Sequence, residues 1–217
     1  MISQLKREAL DALKGKWGLA VGATLLVGIL IGAVEMLTTG IFSMFWGWEE
    51  ANESLTVTII AMFIIGPLTV GASYFVLNVI RGTNARIGYI FRWFNDGSKF
   101  MKSFLTYLLM NVYLILWTLL LIIPGIIKSF SYSMTYFILN DHPEYSINQA
   151  ITESRRMMDG HKMEYFILCL SFIGWFILSC ITLGIGFLWL IPYFYTTSAA
   201  FYEEIAEEYY EKKIPTL

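Results

Sequence analysis

The chain has 217 residues, of which 57% are hydrophobic, 17% aromatic and only 15% charged. Soluble domains hold roughly 45 to 50% apolar and about 25% charged residues, so this composition excludes an ordinary water-soluble globule and makes lipid the expected solvent. A formal net charge of -2 removes the electrostatic case for a nucleic-acid partner.

In chain order, six apolar stretches stand out, at about 18–37, 57–80, 104–123, 125–140, 164–181 and 187–202. The first three reach the roughly 20 residues that a bilayer demands of a helix. The first run is also longer than a signal-peptide core and lacks a small-x-small cleavage site, so it is expected to remain as a span. Within it, Ala20, Thr24, Gly28 and Gly32 recur every four residues, a stripe that lets another backbone approach closely, from this chain or from a second copy in a homo-oligomer.

The last three stretches are shorter, and helix breakers adjoin them. Pro124-Gly125 lies between the third and fourth, and Thr182-Leu183-Gly184-Ile185-Gly186 between the fifth and sixth. Reading both as turns places segments 1–17, 81–103, 141–163 and 203–217 on one side, and with them every lysine and arginine except Lys128. By the positive-inside rule that side is cytoplasmic. The opposite loop carries Glu49, Glu50 and Glu53 and no cation. A kink at Pro124 would instead put Arg155, Arg156 and Lys162 outside, so three helical hairpins are preferred. The expected fold is therefore all-α: a polytopic transmembrane bundle of about six spans, one membrane domain over 1–217, with short amphipathic cytoplasmic helices. The second helices of the hairpins carry Pro67, Pro124 and Pro192, each followed by small and aromatic residues, which a diverged repeat and chance similarity explain equally well.

Two intervening segments have helical periodicity of their own. Ile87, Ile90, Phe91 and Phe94 fall at i, i+3, i+4 and i+7, which predicts a short helix on the inner leaflet. With it Arg86, Arg92, Lys99 and Lys102 become candidate contacts to a lipid surface, or more plainly topology anchors. Ser146-Ile147-Asn148-Gln149 reads as a capping box opening a helix that stops at Gly160. Its residues Arg155, Arg156 and Met158, with Lys162 beyond, are candidates for docking a partner, the alternative being docking on the protein's own cytoplasmic ends. The acidic, aromatic stretch from Glu203 to Lys213 is expected to prolong the sixth span as a solvated helix.

Reactive chemistry is sparse. Cys169 and Cys180 share one apolar run about 16 Å apart on a helix, beyond the reach of a disulfide, and are expected to be buried thiols. His142 and His161 lack metal-ligand spacing, and no zincin, nucleophile-elbow or Walker-type pattern occurs. No cofactor, metal or catalytic residue is therefore expected. Glu35 and Lys128 are the two charges placed clearly within predicted spans, both toward the outer ends, and form a candidate polar site as a pair or around a headgroup. Independent snorkelling of each to the interface is the plainer reading.

Several stretches together resemble the bacterial DUF975 family of membrane proteins along nearly the whole chain. They are Leu13-Lys14-Gly15-Lys16-Trp17, Leu116-Trp117 with Ile122 to Lys128, Ser131-Tyr132-Ser133-Met134, Ser154 with Met157 to Lys162, Leu170 to Trp175, Gly184-Ile185-Gly186 and Pro192-Tyr193. The resemblance implies a multispanning protein of the bacterial cytoplasmic membrane and brings no activity with it. It marks Lys128 and the Met158-to-Lys162 corner as family features. The functional expectation is a non-enzymatic module that binds lipid, an amphipathic peptide or a partner membrane protein, with a small transporter or channel component as the alternative.

Overall fold

A computed structural model describes residues 1–47 and 55–213, so Glu49, Glu50 and Glu53 lie outside the described residues. The order is α1 (Ile2–Leu13), α2 (Trp17–Trp46), α3 (Leu55–Ile80), a 3-10 helix (Ile87–Phe94), α4 (Gly97–Leu120), α5 (Ile122–Tyr132), α6 (Thr135–Asp141), α7 (Ile147–Met157), α8 (Lys162–Leu170), α9 (Ile173–Ile181) and α10 (Phe187–Lys213). No strand occurs among the described residues. The all-helical bundle expected from the sequence is what the chain forms.

Among the described residues, five segments are long and apolar enough to cross a membrane: Trp17–Phe45, Val57–Ile80, Gly97–Leu120, Ile122–Asp141 and Lys162–Ile181. The expected sixth, the first half of α10, falls short because the bundle buries it and it need not be greasy all round. Tyr193, Thr196, Thr197, Ser198, Ala199 and Phe201 are all buried there, and Thr197 and Ser198 return their hydroxyls to carbonyls one turn back. As expected, α10 continues unbroken through the acidic stretch beyond Glu203.

The center of the bundle is α3, which touches α1, α2, α4, α6, α10 and the 3-10 helix. Half of its most apolar stretch is buried, against 11% for α2, whose Ile29, Met36, Leu37 and Met44 face outward as a lipid-exposed helix should. Both expected turns are present. Leu121 breaks α4 from α5 in an extended conformation, and Pro124 then falls in the first turn of α5, where its missing N–H costs nothing. Leu183 and Gly184, both at positive φ, turn α9 into α10, and Thr182 Oγ1 accepts from the Gly186 amide at 3.0 Å.

Two breaks were not foreseen. One, at Ser133–Met134, separates α5 from α6; the other, at Ser171–Phe172, separates α8 from α9. At the second, Lys6 Nζ donates to the Ser171 carbonyl at 2.8 Å and lies 4.0 Å over the Phe172 ring. Helix α1 reaches that point because Leu5, Ala9 and Leu13, four residues apart, form one buried stripe packed chiefly on α10 and α3. Cys169 and Cys180 are both free, and Cys180, expected to be buried, is exposed on the apolar outer face of α9.

The segment predicted as an inner-leaflet helix is a 3-10 helix, and it is set into the protein. Ile90 and Trp93 are buried against α3, and Arg92 stacks 4.1 Å over Tyr74. The capping box of α7 is formed as expected, with Gln149 N donating to Ser146 Oγ at 3.3 Å and Ser146 N to Gln149 Oε1 at 2.7 Å. Along one face of this helix Ala150, Ile151, Ser154 and Met158 are buried on the chain's own α5, α6 and α10, and Ile147 is half-buried. Met158 is fully buried and so is withdrawn from any external docking face.

Candidate functional site

Three features converge on the packed end of the bundle. The first is an ion-pair cluster. Arg81, just after α3, donates from Nη1 and Nη2 to both oxygens of Asp141 at 2.8 and 2.7 Å, and from Nε to Glu203 at 2.9 Å. Tyr202 OH donates to the same Asp141 at 2.9 Å. The forked guanidinium thus ties the ends of α3 and α6 to the middle of α10, three helices that belong to the second arms of the three hairpins. The hydrogen bonds donated to Asp141, opposed by partial burial and aided by Glu203, hold the guanidinium still further above its ordinary pKa. Pro67 lies inside α3, Pro124 in the first turn of α5 and Pro192 early in α10, so the prolines do not share a register; what the hairpins share is this meeting point. Arg81→Ala leaves two carboxylates facing each other, and a loss of about 2 kcal/mol is expected, between exposed and buried pairs. Thermal unfolding in detergent measures it, and an unchanged midpoint would remove the cluster from the stability account.

The second feature is a buried polar knot. Asn140 donates from Nδ2 to the Val70 carbonyl at 2.9 Å and to Ser73 Oγ at 2.8 Å, and its Oδ1 accepts from Trp93 Nε1 at 2.9 Å. One side chain of α6 therefore fixes both α3 and the 3-10 helix.

The third is a cavity of about 390 Å³ between α2, α3, α6, α8 and α10, with polar lining from Thr24, Thr69, Ser73, Tyr136 and Ser198 and no charged residue in its wall. Thr24, Thr69 and Ser73 donate to carbonyls of their own helices, and Ser73 Oγ in addition accepts from Asn140. The small-residue stripe of α2 finds its place here: Ala20 is buried, and Ala20, Thr24 and Gly28 line the cavity.

The residues singled out from the sequence fare differently. Glu35 is exposed on α2 and makes no ion pair with Lys128. The docking of α7 on α5 brings Lys128 into one pocket with Arg155, Arg156 and Lys162, and its Nζ sits 4.5 Å over the Trp117 ring. Residues read as lying on opposite sides of the membrane are thus neighbours. Arg86 is exposed, Lys99 half-buried, and Lys102 donates to the Pro143 carbonyl, so of the four proposed lipid contacts Arg92 and Lys102 are engaged within the protein. Arg81, Asp141, Glu203 and Asn140 were missed as a group. The signal available was that opposite charges directly follow, or sit near the end of, each hairpin's second helix.

This arrangement defines a multi-pass helical membrane protein with a polar, interlocked end and apolar hairpins. The chain belongs to the family described as protein of unknown function (DUF975), whose model matches residues 1–128 and 118–209. No curated protein and no solved structure matches it.

Proposed function

We propose that the protein is a non-enzymatic module of the bacterial cytoplasmic membrane, with both termini on the cytoplasmic side, that binds lipid by taking an apolar chain into the cavity beside α2 and α3. The observation that carries this reading is the cavity itself. Its volume of about 390 Å³ lies in the range of small-molecule sites, and its wall joins apolar side chains to serine, threonine and tyrosine hydroxyls without any charged side chain. Such a lining can orient an ester or a hydroxyl. Envelope maintenance or protection against membrane-active peptides suits a module of this kind.

A small transporter or channel component is the second reading, favoured by the same cavity lying between packed hairpins. The uncharged lining weighs against ion or proton coupling.

Gly28→Leu separates these from an empty structural void, because a Cβ at Gly28 meets nothing within 4 Å and the larger side chain has the cavity to fill. Lipid extracted from protein purified in mild detergent is expected to fall on this substitution while the unfolding midpoint holds. Wild-type protein free of lipid, or a variant with undiminished lipid, would overturn the reading, and solute flux through reconstituted vesicles would replace it with the second.

A further inference from the structure

The pocket at the α7–α8 corner holds Lys128, Arg155, Arg156 and Lys162 around a volume of about 420 Å³, with Asp159 as the carboxylate among its lining residues. Gly160, at φ +90°, turns the chain so that residues on both sides of it face α5. Ser154 Oγ anchors the corner by donating to the Ser131 carbonyl at 2.9 Å. Two of the cations are neutralised locally: Lys162 by Asp159 at 3.0 Å and Arg156 by Glu153 at 3.1 Å. Lys128 and Arg155 have no carboxylate partner among the described residues, and Lys128 rests on the Trp117 ring instead. Like charges gathered in one concavity repel unless an anion joins them.

Directly along the same helices runs an apolar groove. Phe166 and Leu170 follow Lys162 at intervals of four residues on α8, and with Phe130, Ile173, Phe176 and Leu190 they line a space of about 530 Å³. Phe130 meets Phe166 edge-on at 5.8 Å. The cationic pocket and the aromatic groove therefore lie one helical turn apart along α8, where Phe166 and Leu170 are among the exposed apolar residues.

From this juxtaposition we infer that the corner is a binding site for an anionic phospholipid, with the phosphate held by Lys128 and Arg155, supported by Arg156 and Lys162, and an acyl chain laid along α8 and α9. Arginine forks match phosphate oxygens in pairs, and lysine adds a point charge. The Ser131 and Thr152 side chains, also in the pocket lining, supply neutral partners for the headgroup. The site rests on the reading that lipid is the ligand class, but it is separate from the cavity beside α2.

The test uses the full chain in mild detergent, with phosphatidylglycerol or phosphatidylcholine added and retained lipid read by native mass spectrometry. Wild type is expected to prefer phosphatidylglycerol by roughly tenfold, about 1.4 kcal/mol. Lys128→Gln with Arg155→Gln should abolish that preference without orphaning a carboxylate, whereas Lys128→Arg with Arg155→Lys should keep it. Gly28→Leu should also keep it, so failure of the cavity reading and failure of this one are distinguishable. No preference in wild type, or an undiminished preference in the glutamine pair, would overturn the site. Displacement of phosphatidylglycerol by inorganic phosphate alone would assign the pocket to a free anion and overturn the lipid.

Discussion

Gly71→Ala is expected to cost at least about 3 kcal/mol, which for a chain of this size lowers the unfolding midpoint by about 6 to 12 °C. A Cβ at Gly71 collides with the Ile90 carbonyl and stands 2.6 Å from its carbon and 2.9 Å from its Cα. These are backbone atoms of the 3-10 helix and cannot rotate away. The helix must lift off α3, and Ile90 and Trp93, now 0% and 2% exposed, would lose their burial. Gly88→Ala in the same 3-10 helix is the control, because a Cβ there meets nothing within 4 Å, and its effect should stay within about 0.5 kcal/mol. Trp93 fluorescence should report the detachment in the first variant alone. Equal midpoints for the two variants would show that the 3-10 helix is not held against α3 by this approach.

Much of the fold was legible from the chain because apolar length and breaker residues act locally. The turns at Leu121 and Leu183–Gly184 sit beside the proline and glycine signals that announced them, and the capping box of α7 formed as its four residues dictated. What was not legible depends on contacts between distant segments. No local pattern says that the fourth and fifth spans break at Ser133 and Ser171, since both serines sit in apolar sequence and the second break is where Lys6 arrives from 165 residues away. Position within an apolar stretch placed Lys128 toward the outer ends, and no local pattern says that α7 folds back onto α5 beside it, with Ser154 bonded to the Ser131 carbonyl. Lys128 and Arg155, never grouped from the sequence, share a pocket, while Glu35 stands exposed on α2. Met158 looked like one member of a docking face, and it is, but the surface it docks on belongs to its own chain.

Asn140 links the architecture to the cavity, and its replacement is the second large effect expected. Asn140→Leu keeps side-chain volume but strands the buried Trp93 Nε1–H and removes the donors to Val70 and Ser73. Orphaned buried polar groups cost about 1 to 3 kcal/mol each, so a total loss of about 3 kcal/mol is expected. Much of that loss is the stranded indole donor, which Trp93→Phe removes. A double-mutant cycle should therefore show coupling of about 1 to 2 kcal/mol, with the pair less destabilised than the two single losses added together. Because Ser73 also lines the cavity, the single leucine variant frees an acceptor lone pair on its oxygen, while its O–H still donates to the Val70 carbonyl, and should alter which lipids copurify, a change that loss of stability by itself would not produce. Strict additivity in the cycle would mean that Trp93 and Asn140 act independently, and the 3-10 helix would then owe its position to the close approach at Gly71 and to apolar burial alone.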